Sequence, residues 1–230
     1  MDFLQTEHLW INPVSGLVTD PKRRPLGTVK AEGSRLVSDL PEACRAEALA
    51  PMADRLFLRG AEEITGDHPL SREKWYPCPV MRPFRDVDTL PGETIELTCT
   101  CVNCGDPARG LAPEYHFDIT PRGSCRLIGR ISLRLGMDER LYYAGHIGYG
   151  IIPEARGHRY AAQACRLLVP LMRRHGMEAA VLTCRPDNAA SRRTIESLGA
   201  RLVCCAPLPR NHELYQPNAP VTCIYRWQFF

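Results

Sequence analysis

The stretch Ile151-Ile152-Pro153-Glu154-Ala155-Arg156-Gly157-His158-Arg159-Tyr160-Ala161 constrains this chain more than any other. An apolar strand ends at Ile152, a proline breaks it, and a helical pattern follows within a few residues. Ala161, Cys165, Leu168 and Met172 recur at helical spacing and Gly176 closes the run. The first amides of a helix have no partner inside it, and the helix dipole places about half a positive charge there. A strand–turn–helix junction of this kind is a ready seat for phosphate. Arg156, His158 and Arg159 bring further positive charge to the same turn. The helix is expected from about His158 to His175, with Pro170 inside it, where the ring costs about 3 kcal/mol or kinks the axis.

The segments around this junction read as a mixed α/β sheet. Ile95, Leu97, Cys99 and Cys101 alternate with polar residues, as do Tyr115, Phe117 and Ile119, and period-2 alternation predicts strands. Pro121-Arg122-Gly123-Ser124 is a turn leading into a partner strand over Leu127–Leu135, in which Gly129 marks a bulge or a close backbone approach. Further strands are expected over Ala144–Ile152, Ala179–Cys184, Arg201–Cys205 and Val221–Phe229, with a short helix from Asn188 to Leu198 ended by Gly199. The order is β-β-β-β-α-β-α-β-β.

Residues 1–92 have a different texture. Half of the chain's 20 prolines fall there, and Trp75 to Pro91 is interrupted by Pro77, Pro79, Pro83 and Pro91. One helix is expected from Pro41 through EACRAEALA and a second over Met52–Glu63, with irregular chain elsewhere. A hydrophobic content of 44% with 24% charged residues is a globular balance. A formal net charge of +3 suits an anionic ligand and is too weak to argue for nucleic acid. No run of 18 apolar residues occurs, so neither a membrane span nor a secretory leader is expected and the protein is read as cytoplasmic. The 11 cysteines are then expected to be mostly reduced, several of them as small apolar core residues.

A second motif lies downstream of the basic turn: Asn188-Ala-Ala-Ser191-Arg-Arg-Thr-Ile195-Glu196-Ser-Leu198-Gly199. Taken together, Arg156-Gly157-His158-Arg159-Tyr160-Ala161 and this segment resemble the GNAT superfamily of acetyltransferases over about residues 93–230. That family's pyrophosphate loop reads Arg/Gln-x-x-Gly-x-Gly/Ala, and its next helix carries Asn-x-x-Ser/Ala…Glu-x-x-Gly. The stretch LYYAGHIGYGI and the closing CIYRW add a likeness to one subgroup of small bacterial members. The resemblance implies a mainly antiparallel central sheet flanked by helices, with two splayed central strands that admit acyl-CoA. It divides the chain into an N-terminal extension, 1–92, and an acyltransferase domain, 93–230; because only Val102–Pro113 joins the first two strands of that domain, part of 1–92 is expected to cover the acceptor face. It implies acetyl-CoA as donor and an amine as acceptor, without nucleic acid or membrane, in a monomer or homodimer. Coenzyme A contacts are implied for Tyr149, Gly150 and Ile151 through main-chain groups, for Arg156, Gly157, His158, Arg159, Tyr160, Ala161 and Ala162, and for Asn188 and Ser191 on the next helix. The chain departs from the pattern at Arg159, where the family has glycine, and at Ile195, where many members carry a tyrosine that protonates the leaving thiolate.

Candidates for the proton transfers are His146, which sits in phase with Gly148 and Gly150, and Glu114, His116 and Asp118 on one face of another strand. A structural histidine and a solvated polar face are the plainer readings of these residues. Tyr215 and Tyr143 are the tyrosines available in place of the missing acid. Cys99-x-Cys101-x-x-Cys104, with Cys125 or His116, invites a zinc reading, but Cys99 and Cys101 fall in phase with Ile95 and Leu97, so core packing accounts for them and no metal is expected. The expected activity is N-acetyl transfer by direct attack on a small molecule or peptide amine. The alternative is a non-catalytic acyl-CoA-binding or regulatory module of the same fold.

Overall fold

The computed structural model describes residues 3–58, 65–66 and 81–229. They divide into two compact units. One comprises Met1–Trp75, Thr183–Asp187 and Arg201–Tyr225, the other Tyr76–Leu182, Asn188–Ala200 and Arg226–Phe230. Late strands of the chain thus fall with its N-terminal residues.

The first unit carries β1 (Leu4–Gln5), β2 (Trp10–Ile11), β3 (Leu17–Thr19), β4 (Pro25–Glu32), β5 (Arg35–Ser38), α1 (Glu42–Leu58) and β6 (Thr65–Gly66). The irregular chain expected here is instead mostly antiparallel sheet. Its strands are two to eight residues long, and β1, β2 and β3 are too short for period-2 alternation to register. The two helices expected on either side of Pro51 are one, α1, with the proline inside it; residues 59–63, the expected end of the second, lie outside the described residues. Of the chain's later strands, β13 (Arg201–Pro207) and β14 (Val221–Gln228, as far as Tyr225) continue this sheet in the order β14-β13-β1-β2-β3-β4-β5-β6, while β12 (Ala179–Cys184) lies mainly in the second unit. Gln5 on β1 pairs with Cys205 on β13.

The second unit is built on a five-stranded antiparallel sheet, ordered β11-β10-β9-β8-β7. Its strands are β7 (Thr89–Pro91), β8 (Ile95–Asn103), β9 (Glu114–Pro121), β10 (Gly129–Arg134) and β11 (Ile147–Ile151). One face, with Leu97, Tyr115, Phe117, Ile119, Ile131 and Leu133, is buried, and α3 (Tyr160–Leu167) packs against β8, β10 and β11. The long helix expected over His158–His175 breaks at Leu168, and α4 (Val169–Arg174) begins again with Pro170 in its first turn, where a missing N–H costs nothing. Gly129 marks a close approach: a Cβ there would meet the Gly150 carbonyl oxygen at 2.4 Å.

Two local departures bear on the site. A short helix, α2 (Glu139–Ala144), precedes the strand expected over Ala144–Ile152 and takes its first residue, so that β11 begins at Ile147; Asp138 caps the helix by accepting from the Leu141 amide at 2.7 Å. In β8 the register shifts between Cys99 and Cys101, which pair with Phe117 and His116 respectively. That extra residue reverses the phase, so Cys101 is exposed rather than packed in the core. Among the described residues no cluster of three or more His, Cys, Asp or Glu side chains could hold a metal ion, and no helix is long and apolar enough to cross a membrane.

Candidate active site

β11 is an edge strand, and its chemistry follows from which way its main chain faces. The bonds Arg134 N–H to His146 O (2.8 Å) and Ile152 N–H to Ile128 O (3.0 Å) fix the parity of the β10–β11 ladder. Antiparallel pairs alternate between bonded and non-bonded, so Gly148 and Gly150 turn their main chain toward β10. Ile147, Tyr149 and Ile151 turn theirs to the open edge. Of the three residues expected to offer main-chain groups to a ligand, Tyr149 and Ile151 keep them outward and Gly150 does not.

At its start, β11 is joined to β12 by His146. The His146 amide donates to Val181 O at 2.8 Å, and the Val181 amide donates to His146 Nδ1 at 2.8 Å. Nε2 carries the ring proton to Gly136 O at 2.7 Å. The imidazole is 1% exposed, and burial lowers its pKa from 6.5 to about 4. With Nδ1 occupied as acceptor and Nε2 as donor, the ring has no site for an incoming proton. His146 is therefore a structural residue, not the proton relay considered from the sequence. Past this clasp the two strands belong to separate sheets.

The turn after β11 is held at both ends. Ile152 leads into a single 3-10 turn, Pro153–Ala155, and Arg156 Nε donates back to the Ile151 carbonyl at 3.2 Å. Gly157 follows at φ 90° and Arg159 at φ 58°, ψ 22°. Arg159 stands where the sequence pattern has glycine, and the left-handed conformation is the reason for that preference. An arginine there carries about 1–2 kcal/mol of backbone strain. The first bond of α3 is Gln163 N–H to Arg159 O, so the amides of Tyr160, Ala161 and Ala162 precede the helical ladder and converge at its positive end. The His158 ring stacks on Tyr160, with centroids 5.2 Å apart, and its Nδ1 lies 3.0 Å from the Arg156 carbonyl. The turn thus combines oriented amides with two exposed arginines and an exposed imidazole, and its residues fit a pyrophosphate.

Asn188 caps α5 (Ala189–Ser197) by accepting from the Ser191 amide at 3.0 Å. The Tyr149 hydroxyl reaches this first turn and donates to the Ser191 carbonyl at 3.5 Å. Ile195 is buried on the same helix. Tyr143 is buried with its ring edge-on to Tyr142, and Tyr215 belongs to the first unit, in the loop before β14. A tyrosine side chain already set against α5 was missed in the sequence, where Tyr149 was read for its main chain alone.

The opposite face of the sheet is polar. Glu114 lies between Arg134 (Nε to Oε1, 3.2 Å) and His116 (Nε2 to Oε2, 3.3 Å), and Asp118 pairs with Arg130 at 3.1 Å. A trough of about 200 Å³ crosses this face, lined by His116, Arg130, Ser132, Gly148 and Gly150 among others. Among the described residues nothing lies within 4 Å of a Cβ placed on Gly150.

Residues 55–201 match the acetyltransferase (GNAT) domain family. No curated relative matches the chain. Among solved structures, a probable GNAT-family acetyltransferase from Chromobacterium violaceum is 14% identical, with a TM-score of 0.49 over 73% of this chain and 97% of that one. The Salmonella typhimurium acetyl transferase described as modifying the N-terminal serine of ribosomal protein L7/L12 is 17% identical, with a TM-score of 0.45 over 62% of this chain and 100% of that one. The microcin C7 self-immunity acetyltransferase, solved with acetyl-CoA and AMP, is 20% identical, with a TM-score of 0.40 over 50% of this chain and 61% of that one. The family match covers more than half of the chain, and the chain is an acyltransferase belonging to the GNAT acetyltransferase family.

Proposed function

We propose that the chain is an N-acetyltransferase that moves the acetyl group of acetyl-CoA to the amine of a small molecule or peptide by direct attack. The observation that carries this reading is the turn from Arg156 to Ala162. Arg156 is tied to the end of β11, and Arg159 is held left-handed directly before the unpaired amides of α3. Strain retained beside a set of converging donors points to ligand binding. Gly157 to Ala162 supply amides, Arg156 and Arg159 supply charge, and His158 supplies a ring N–H, for the pyrophosphate. The outward main chain of Tyr149 and Ile151 suits the amides of the pantetheine arm, which would lie along the edge as an added strand does. A main-chain N–H from the same edge polarises the thioester carbonyl.

The acceptor belongs in the trough over Gly148 and Gly150, where the strand has no side chains to fill the space. Glu114 holds the Nε2 side of His116, which leaves Nδ1 as the nitrogen that takes the proton of the attacking amine, directly or through water. The Tyr149 hydroxyl, already at the first turn of α5, returns a proton to the departing thiolate in place of the tyrosine absent at Ile195. No covalent bond to the protein forms, so the many cysteines have no part in the reaction.

The test is thiol release from acetyl-CoA against panels of small amines and peptide N-termini, with acetylated products identified by mass. Thiol release that requires an amine supports the reading. Hydrolysis alone, or no release with any amine despite acetyl-CoA binding, overturns it.

A further inference from the structure

β13 and β14 are neighbours in the first unit's sheet, and they leave the same loop in opposite directions. At its mouth, Leu208 N–H donates to Pro220 O at 2.7 Å. Three residues further along each strand, that register sets Cys205 opposite Cys223. Bonded and non-bonded pairs alternate along an antiparallel ladder, so a position three residues from a bonded pair is a non-bonded one. There the Cα atoms approach to about 4.5 Å and the side chains are closest. This spacing lies within the roughly 4.4–6.8 Å range that a disulfide spans. The Sγ atoms of Cys205 and Cys223 are 2.6 Å apart, so nothing needs to move far for a bond to form. Cys223 is buried and Cys205 half-buried, which makes Cys205 the sulfur a reagent reaches first. Cys204, next in the chain, points to the opposite face of the strand.

We propose that Cys205 and Cys223 are an oxidative modification site, a dithiol that closes to a cross-strand disulfide when the protein meets a hydroperoxide. The Cys205 thiolate attacks the peroxide O–O bond, becoming a sulfenic acid and releasing water or an alcohol. The Cys223 thiol then displaces hydroxide from that sulfur, the S–S bond forms, and a second water leaves. The two thiols together lose two electrons and the peroxide gains them. A dithiol reductant reverses the step by exchange. The bond closes the loop that carries Tyr215, fixing its base by covalent linkage. This site is independent of the acetyl-transfer reading.

The experiment treats the full-length protein with hydrogen peroxide, blocks remaining thiols with iodoacetamide under denaturing conditions, and maps tryptic peptides. Leu202–Arg210 and Asn211–Arg226 carry the two cysteines. They are expected as one linked species, two hydrogens lighter than the sum of the two peptides with Cys204 alkylated, and separable by dithiothreitol. Cys205→Ser and Cys223→Ser, each checked for a native circular dichroism spectrum, are each expected to abolish the linked species. The exposed Cys101, Cys104 and Cys125 report that the reagents acted. Recovery of both cysteines alkylated or over-oxidised, or joined to other thiols, overturns the proposal.

Discussion

The Val181 amide donates to Nδ1 of His146 at 2.8 Å, so an imidazole makes the contact that a strand carbonyl makes elsewhere in a sheet. The same ring closes onto the Gly136 carbonyl, and His146 thereby pins the start of β11 to β12 and to the turn after β10. That contact needs the ring neutral. Between about pH 4 and 6.5, the two values given for His146 folded and free, the unfolded chain binds a proton there that the folded chain refuses. Stability therefore rises with pH across this window and is fully present above it. The contribution is ~3 kcal/mol, and urea denaturation at pH 4.5 and 7.5 is expected to differ accordingly. Replacing His146 by phenylalanine leaves the Val181 amide and the Gly136 carbonyl buried without partners. The expected cost is roughly 2–4 kcal/mol at pH 7.5, with the slope between pH 4 and 6.5 reduced.

Arg159 sets two effects against each other. Arg159→Gly relieves the left-handed strain and is expected to raise stability by roughly 0.5–1 kcal/mol, less than the full penalty because glycine loses more freedom on folding. The same change removes a cation from the turn, and acetyl-CoA is expected to bind a few-fold more weakly, the deficit shrinking at high salt. Thermal unfolding and calorimetry at two ionic strengths read the two effects separately.

Among the described residues nothing gives Gly150 a steric reason to be glycine, since a Cβ there meets none of them within 4 Å. Gly150→Val is expected to leave the melting temperature and the acetyl-CoA affinity nearly unchanged. Amine kcat/KM should fall about tenfold or more, because the trough is where the acceptor lies. Unaltered kcat/KM would move the acceptor elsewhere.

Tyr149→Phe keeps the ring and removes only the hydroxyl that reaches Ser191. A loss of about 10–100-fold in kcat with KM for acetyl-CoA unchanged is the expected signature of a missing general acid. An unchanged kcat would mean that the thiolate leaves without help from this residue.

The second unit was legible because its patterns are long. Eight residues of β9 alternate cleanly, β12 falls on Ala179–Cys184 as expected, and the turn with its downstream Asn188 is a joint spacing that few folds share. What escaped depended on single residues. The extra residue at Thr100 reverses the phase of Cys101, and Asp138 nucleates a six-residue helix too short to show a period. The first unit was illegible for a different reason. Strands such as Leu4–Gln5 are only two residues long and are completed on one side by a partner 200 residues away, Cys205. For the same reason, deletion of residues 1–90 would unpair β13 and report on stability rather than on acceptor use. His146 was visible as a residue in the right strand, but its role was fixed by two backbone partners that no local pattern reveals.

The account rests most on the turn from Arg156 to Ala162, and calorimetric titration of acetyl-CoA into the intact protein and into Arg156→Ala tests it most directly. One molecule of acetyl-CoA is expected to bind each chain, with affinity about tenfold or more weaker in the variant, as the loss of a charge-assisted contact requires. Absence of binding to the intact protein, or equal affinity in the two, would contradict it.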